Sequence, residues 1–475
     1  MKIIRYQFLF LITIVSLFGC KKDFGDLNIS PNSAAIPPTS ALLTNVESTL
    51  GNVPQNSELG YFVQYYTELQ YPGSDLYQTT SVSWDGFYAG PLADLQKIIE
   101  LCQNNPSAAV LLSGTPTNQI QIARILKAYL FSVLTDRYGD IPYFDALKGN
   151  GQVKYDKQQL IYNDLFKELK EANAAFQTNG TAILGDIIYN GDIAKWKKFA
   201  NSLRLILAMR LSKVDPAKGK SEFADALSSA DKYISSNTDN FAITFTTSFV
   251  NSYSTLSTAS FYALANTVAD TLTNHADPRS RIYGQANSTG QIVGVPYGLN
   301  RGHNLDWTNS HSFYSLAFDA SFKTQTSPVV IIPAAYIDLI RAEADSTYSS
   351  GDSSLVLFKK GIQDSWEQWG VTGNIDLYIA SFGITTAVDR KNIQLQTWLS
   401  LFGTTQNAWN EWRRTGVPAL IPSPDAVNQS KQIPRRYAYP LTEANLNQAA
   451  YNDAINSFPY GGTDKHDNHV WWDKP

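Results

Sequence analysis

The sequence predicts a mostly helical fold in which paired helices support a loop-rich surface with few short strands. Two observations carry this prediction. Apolar residues recur at intervals of three and four over many long segments, which is the period of an amphipathic helix. Residues 236–328 instead are rich in Ser, Thr, Asn, Gly and aromatic residues, with almost no helical period after about Asp270. Loops this long are usually functional or disordered, and the aromatic content favours order.

The composition of the 475-residue chain narrows the classes of function. Hydrophobic residues make up 43% of it and charged residues only 17%, so its polarity comes mainly from Asn, Ser, Thr, Gln and Tyr. Such a surface can hydrogen-bond neutral polar molecules and offer aromatic faces. The net charge of −4 and the lack of a basic stripe argue against nucleic acid as a partner.

The N-terminus has the composition of a targeting segment followed by a tether. A positively charged start precedes the apolar run Phe8–Phe18, which is too short to span a bilayer as a stable anchor. The run ends in Gly19-Cys20, as in a bacterial lipobox; the alternative is an ordinary signal peptide with an incidental cysteine. We predict a signal peptide over 1–19 and a flexible tether over 20–40. We also predict that Cys20 is lipidated and that its acyl chains, palmitate among them, anchor the protein in a membrane.

The remaining residues, 41–475, are predicted to form a single helical domain with the loop-rich insertion 236–328. Gly139 and Pro142 end one long helix, and Asp192 is the expected N-cap of another. The predicted helices cover residues 39–50, 57–69, 84–104, 120–138, 158–176, 192–213, 333–348 and 353–369, with more between 384 and 413. Helix–turn–helix pairs at roughly regular spacing indicate a tetratricopeptide-like array, although the consensus signature of that repeat is incomplete.

The loops carry residues that suit a sugar ligand. A flat Trp or Tyr ring can cover the apolar C–H face of a sugar while Asn, Asp, Arg or His side chains hydrogen-bond its hydroxyl groups. The candidate ligand-binding residues are Tyr71, Asp75 and Tyr77 in the loop over 70–83, and Asn304, Trp307 and Tyr314 in the insertion. The alternative for each single ring is that it packs its loop onto the helices. Short strands are expected at Phe241–Phe245 and Gln291–Val295.

Motifs for catalysis or metal binding are scarce. There is no phosphate-binding Gly loop, no Gly-x-Ser-x-Gly elbow and no His-Glu-x-x-His sequence. The His466-Asp467-Asn468-His469 spacing could hold a metal only on a helix, and Gly461-Gly462 before it indicates a loop. Cys102 is the only cysteine besides Cys20, so the mature chain allows no internal disulfide. We therefore expect no catalytic residue, no metal and no cofactor.

Several distinctive motifs are spread along the chain. They are Arg137-Tyr138-Gly139-Asp140-Ile141-Pro142-Tyr143, WKKFANSLR from Trp196 to Arg204, Asp277-Pro278-Arg279, Ala342-Glu343-Ala344, and a tail from Arg435-Arg436 through Tyr439-Pro440 to Val470-Trp471-Trp472-Asp473. Together with the lipobox they resemble the SusD/RagB family of outer-membrane nutrient-binding lipoproteins, in its SusD-like branch. One departure is Thr463, which interrupts a Gly-Gly-Asp turn that this branch tends to have. The resemblance spans essentially the whole mature chain.

The resemblance implies four tetratricopeptide-like helix pairs that support a loop-rich ligand face. It also implies a cell-surface lipoprotein of the outer membrane that binds oligo- or polysaccharide and delivers it to a SusC-like TonB-dependent transporter. The family's ligand residues vary between members, so the candidates above rest on chemistry and loop position alone. Three alternatives stay open: a peptide ligand in the same uptake system, a surface glycoside hydrolase with two carboxylates roughly 5–10 Å apart, and a structural scaffold.

Overall fold

Helices provide most of the regular structure in the part of the chain that this computed structural model describes, which confirms the predicted fold class. The described residues are 37–53, 56–78, 81–104, 106–256, 261–457 and 462–474, without the side chains of 255 and 256. The predicted signal peptide, Cys20 and most of the tether lie outside them. Among the described residues, no helix combines the length and apolarity that a membrane-spanning segment needs.

The longer helices follow the chain in a simple order. They are α1 (Thr39–Leu50), α2 (Ala93–Gln103), α3 (Pro116–Tyr138), α4 (Gln158–Ala174), α5 (Ile193–Arg210), α6 (Pro216–Ser228), α7 (Asn266–Asn274), α8 (Arg301–Ser310), α9 (Ala334–Tyr348), α10 (Ser354–Gln368), α11 (Arg390–Ser400), α12 (Thr405–Thr415) and α13 (Gln448–Asn456). Short helices cover Ser57–Phe62, Asp85–Phe87, Ala108–Leu112, Tyr253–Leu256, Ser280–Tyr283, Ile375–Ala380 and Glu443–Leu446, with a π turn at Tyr88–Leu92 and 3₁₀ turns at Asn237–Asp239 and Ala320–Lys323.

In the part of the chain that the structure describes, four strands form two small antiparallel sheets. The strands are β1 (Tyr66–Glu68), β2 (Phe241–Ile243), β3 (Tyr262–Leu264) and β4 (Val329–Ile332). β1 pairs with β3 in the register Tyr66 opposite Leu264, and β2 pairs with β4 with an irregular register after Phe241. Each sheet therefore joins segments that are far apart in sequence.

Helix pairs form the body, as the sequence indicates. α1 packs on α2, α3 on α4, α5 on α6 and α9 on α10. Local signals set several of the ends: Asp192 accepts hydrogen bonds from the backbone N–H groups of Ala194 (2.9 Å) and Lys195 (3.2 Å), as predicted for an N-cap. Gly139 ends α3 with φ of 90°, a conformation that costs a glycine little.

The C-terminal half of α3 is buried on every side rather than along one apolar stripe. Every residue from Ala128 to Tyr138 is buried, including polar ones. The Asp136 carboxylate accepts hydrogen bonds from Tyr162 Oη (2.6 Å), Trp472 Nε1 (2.8 Å) and Asn410 Nδ2 (3.2 Å), and it pairs with Arg210. One buried carboxylate thus ties α3 to α4, α5, α12 and the C-terminal tail.

The secondary structure predicted from the sequence is wrong in the following segments. The helix predicted over 57–69 ends at Phe62, and its second half forms β1. The helix predicted over 84–104 is interrupted by the π turn, where Gly90 has non-helical angles. The segment 291–295 forms no strand, although Val295 makes an isolated bridge to Ala265. The stretch around Trp307, predicted as loop, is helix α8.

Candidate glycan-binding cleft

A cleft of about 340 Å³ lies beside α8. Its lining combines three distant segments: Leu69, Gln70, Phe261, Arg301, Asn304, Leu305, Thr308 and Tyr314. The pairing of β1 with β3 places the first two segments side by side, and Leu69 N donates to Phe261 O (2.8 Å). The small sheet therefore positions one wall of the cleft, and α8 with the residues after it supplies the other.

Hydrogen bonds at its N-terminus fix the start of α8. The Asn300 side chain accepts from His303 N (3.0 Å), which is an N-cap contact. Asp425 accepts from Asn300 N (2.8 Å) and contacts His303 Nδ1 (2.6 Å). Desolvation opposes ionisation of Asp425, but the hydrogen bonds from Asn300 and His303 outweigh it and lower the pKa of this carboxyl. The segment around Asp425 thus holds α8 in place.

Asn304, a predicted ligand residue, connects the two walls of the cleft. It is almost fully buried, and its Nδ2 donates to Glu68 O (3.2 Å) and Leu299 O (3.0 Å). Its Oδ1 is buried and accepts no hydrogen bond from any described residue. Because an unpaired buried acceptor is costly, this oxygen favours an N–H or O–H group supplied by something else.

Two aromatic pairs flank the cleft. Trp307 and His311 stack at 4.4 Å between centroids with 5° between their planes, and Tyr314 lies 6.2 Å from Trp307 at an angle of 56°. On the other wall, Tyr71 contacts Phe261 edge to face at 5.9 Å. Tyr314 and Phe261 belong to the lining itself, so Trp307 and Tyr71 extend its aromatic surface on both sides.

Two of the predicted ligand residues lie in the interior instead. Asp75 is 0% exposed and Tyr77 is 1% exposed, whereas Tyr71 nearby is 62% exposed. Asp75 accepts from Glu68 N (2.8 Å) and from Thr67 Oγ1, and Tyr77 Oη accepts from Ser423 N (2.9 Å). Burial raises the pKa of Asp75 well above its ordinary value and that of Tyr77 to about 12. Their contacts hold the loop together, and neither side chain lines the cleft beside α8.

The chemistry of the cleft suits an uncharged ligand with both polar and apolar faces. Arg301 is the one charged residue in its lining, and none of the eight lining residues carries a carboxylate. The glycoside hydrolase alternative, which needs two carboxylates across the sugar, gains no support from this cleft.

In the described part of the chain, no three His, Cys, Asp or Glu side chains are grouped to hold a metal ion. His466 contacts Asn428 (2.9 Å), and His469 contacts Asp473.

Several lining residues were not predicted from the sequence. Arg301, Leu305 and Thr308 share one side of α8 with Asn304, because the four residues follow the i, i+3, i+4, i+7 spacing of one helix face. The N-cap asparagine at position 300 was the available signal for this helix. Gln70 and Phe261 have no comparable signal, because only the pairing of β1 with β3 brings them to the site.

Comparison with known proteins places the chain in a family. Residues 31–440 match the SusD-like family that is described as starch-binding and associating with the outer membrane. The chain belongs to the SusD-like family. The resemblance seen in the sequence motifs is thereby confirmed, and membership supports an outer-membrane location. No curated protein matches the chain by sequence.

Solved structures of SusD-like proteins have the same fold. A chitin-binding protein is 28% identical with a TM-score of 0.78, over 92% of this chain and 100% of that one. A SusD homologue from Bacteroides uniformis is 24% identical with a TM-score of 0.77, over 93% and 100%. A chitin-binding SusD homologue from Flavobacterium johnsoniae is 23% identical with a TM-score of 0.74, over 92% and 98%. The last two matches show the fold alone.

Proposed function

We propose that this SusD-like protein is a non-catalytic cell-surface lipoprotein that binds oligo- or polysaccharide in the cleft beside α8. In this proposal it delivers the glycan to a SusC-like TonB-dependent transporter of the outer membrane. The observation that carries the binding role is the pair of aromatic surfaces on either side of a cleft that has no carboxylate in its lining. The starch-binding description of the family and the chitin-binding protein that is 28% identical support a glycan over a peptide.

Each part of the cleft has a role in this proposal. Trp307 and Tyr314 cover the C–H face of one sugar unit, and Tyr71 with Phe261 contacts a neighbouring unit. The unpaired Oδ1 of Asn304 accepts from a hydroxyl or amide group of the sugar. Few charges must be desolvated when a neutral glycan enters, which keeps the cost of binding low.

Removing one ring tests this site directly. Trp307→Ala is expected to weaken binding of maltooligosaccharides or chitooligosaccharides by roughly tenfold or more, as truncation of a central aromatic contact typically does. Isothermal titration with both series identifies which one binds. Phe144→Ala is the control, because Phe144 is an aromatic ring at the surface that does not line this cleft.

The outcome also separates the ligand alternatives. Unchanged affinity of Trp307→Ala for the bound glycan would remove the site assignment. Binding of peptides but of neither glycan series would favour the peptide alternative. Release of reducing ends on prolonged incubation would favour the hydrolase alternative.

The anchoring and delivery steps rest on the sequence and on the family. The lipobox ending at Cys20 supports attachment through acyl chains, with the segment before Thr39 as tether. Cys20→Ser is expected to move the protein from the membrane fraction to the soluble fraction and to abolish labelling by radioactive palmitate. Retention of the variant in the membrane fraction would contradict the anchor. Affinity purification from the native membrane tests whether a TonB-dependent transporter accompanies the protein.

A further inference from the structure

A second cleft, of about 360 Å³, lies between the end of α1 and the π turn that precedes α2. Its lining consists of Thr49, Asn52, Val53, Ser83, Gly86, Phe87, Pro91, Leu130 and Arg137. It shares no lining residue with the cleft beside α8. Arg137 is its one charged lining residue and begins the Arg137–Tyr143 motif, to which the proposed glycan site gives no role.

The guanidinium of Arg137 is buried without an acidic partner. Arg137 is 4% exposed, and its Nε donates to Gln406 Oε1 (2.6 Å) and its Nη2 to Val53 O (3.2 Å). Its Nη1 makes no hydrogen bond with a described residue, and no described carboxylate forms an ion pair with this side chain. Asp85, which precedes the lining residue Gly86 in the sequence, is exposed, so its charge is solvated. A buried charge left without a counter-ion is costly.

Other buried arginines show how unusual this arrangement is for the chain. Arg413 also has no carboxylate partner among the described residues, but it is packed against Trp409 (3.6 Å) and Trp472 (4.7 Å) and donates to two backbone carbonyls. The buried arginines that do pair with described carboxylates are Arg204, Arg210, Arg279, Arg414 and Arg436. Arg137 has neither a carboxylate partner among the described residues nor a tryptophan stacked on it, and it lines a cleft.

The walls of the cleft strengthen an interaction with an anion. The Phe87 ring lies 5.4 Å from the guanidinium carbon, and Val53, Pro91 and Leu130 add apolar surface. An apolar surround lowers the local dielectric, so a charge-assisted hydrogen bond there is stronger than one in water. The exposed Asn52 and Ser83 add polar atoms to the lining.

We propose that this cleft binds the carboxylate group of a small ligand, with Arg137 as its partner. One guanidinium matches one negative charge and the planar geometry of a carboxylate. A phosphate dianion would bring a second charge for which the lining offers no basic residue. The carboxylate can come from an acidic sugar or from a short organic acid, and the two sources present the same group to Arg137.

Calorimetric titration of the full chain at low ionic strength tests the proposal. The probes are sodium glucuronate, glucose as its neutral counterpart, sodium acetate and inorganic phosphate. Glucuronate and acetate are expected to bind, and glucose is not. Tighter binding of glucuronate than of acetate would identify an acidic sugar as the source of the carboxylate. Equal binding of the two would show that the cleft recognises only the carboxylate group. Binding of neither carboxylate, or tighter binding of phosphate than of acetate, would overturn the proposal.

Two variants locate the binding. Gly86→Leu adds a side chain at a lining residue where a Cβ meets no atom within 4 Å, so it is expected to narrow the cleft. It is expected to weaken carboxylate binding roughly tenfold or more. Gly151→Leu is the control, because a Cβ there also meets nothing within 4 Å and the residue lies outside the cleft. Equal affinities of the two variants would overturn the site.

Arg137→Lys keeps the positive charge but removes the planar fork. It is expected to weaken acetate binding to a similar degree, and wild-type affinity in a folded variant would contradict the role of Arg137. If this substitution prevents folding, Gly86→Leu decides the question, because it leaves the contacts of Arg137 with Gln406 and Val53 intact. Glycan titrations are measured separately, so either proposal can fail alone.

Discussion

The helical body and the cleft beside α8 use the same types of side chain in opposite ways. In the body, Trp196, Trp398 and Trp409 are completely buried, and each indole N–H donates to a protein acceptor. Beside the cleft, Trp307 is half-buried and stacks on one exposed histidine. Tryptophan occurs in both regions, so the surroundings of the ring, rather than the residue type, indicate its role.

The largest expected effect comes from breaking an ion pair of the body. Arg414 is buried and donates to Glu343 Oε1 (2.9 Å) and Glu411 Oε2 (2.9 Å). Arg414→Met leaves two buried carboxylates without a cation, so we expect a loss of about 3–5 kcal/mol in the free energy of unfolding. Urea denaturation monitored by circular dichroism measures this loss.

A matched substitution on the surface sharpens the comparison. Arg124 pairs with Glu168 (2.9 Å) and Glu171 (2.8 Å), but all three side chains are partly exposed to water. Arg124→Met is therefore expected to cost less than about 1 kcal/mol. Similar losses for the Arg414 and Arg124 variants would show that burial does not separate the two classes of ion pair.

The sequence predicted those parts of the fold that depend on local signals. The Asp192 N-cap and the Gly139 stop are formed as predicted, because a cap needs only residues within one turn. β1 was missed because it is three residues long and is stabilised by a partner about 200 residues later in the chain. Helix α8 was missed because its sequence has many polar residues and no clear apolar period.

The candidate site was predicted in part for the same reason. Tyr71, Asn304, Trp307 and Tyr314 do gather around one cleft, which loop position and residue type had indicated. Burial of Asp75 could not be predicted, since it depends on the Glu68 backbone N–H that this carboxylate satisfies. The local sequence around a polar residue in a turn does not show whether its side chain faces solvent or hydrogen-bonds the backbone of a neighbouring strand.

A smaller contrast than that between the two arginines is expected between two tyrosines of that one loop. Tyr77 is buried and accepts from Ser423 N (2.9 Å), whereas Tyr71 is exposed and its hydroxyl contacts only the side chain of Gln70 among the described residues. Tyr77→Phe leaves a buried backbone N–H without its acceptor, which we expect to cost about 1–2 kcal/mol in the free energy of unfolding. Tyr71→Phe is the control and is expected to change it by less than about 0.5 kcal/mol.

The pH dependence of this difference provides an independent check. Burial raises the pKa of Tyr77 from 10.0 to about 12, so between these values the unfolded chain releases a proton that the folded protein retains. Deprotonation thus favours the unfolded state, and the stability that the Tyr77 hydroxyl contributes falls as pH rises through this window. Phenylalanine has no such proton, so the gap in unfolding free energy between wild type and Tyr77→Phe is expected to narrow above pH 10. A constant gap up to pH 11 in urea titrations would mean that the Tyr77 hydroxyl is solvated rather than enclosed. Tyr77 would then return to the set of side chains that a glycan can reach.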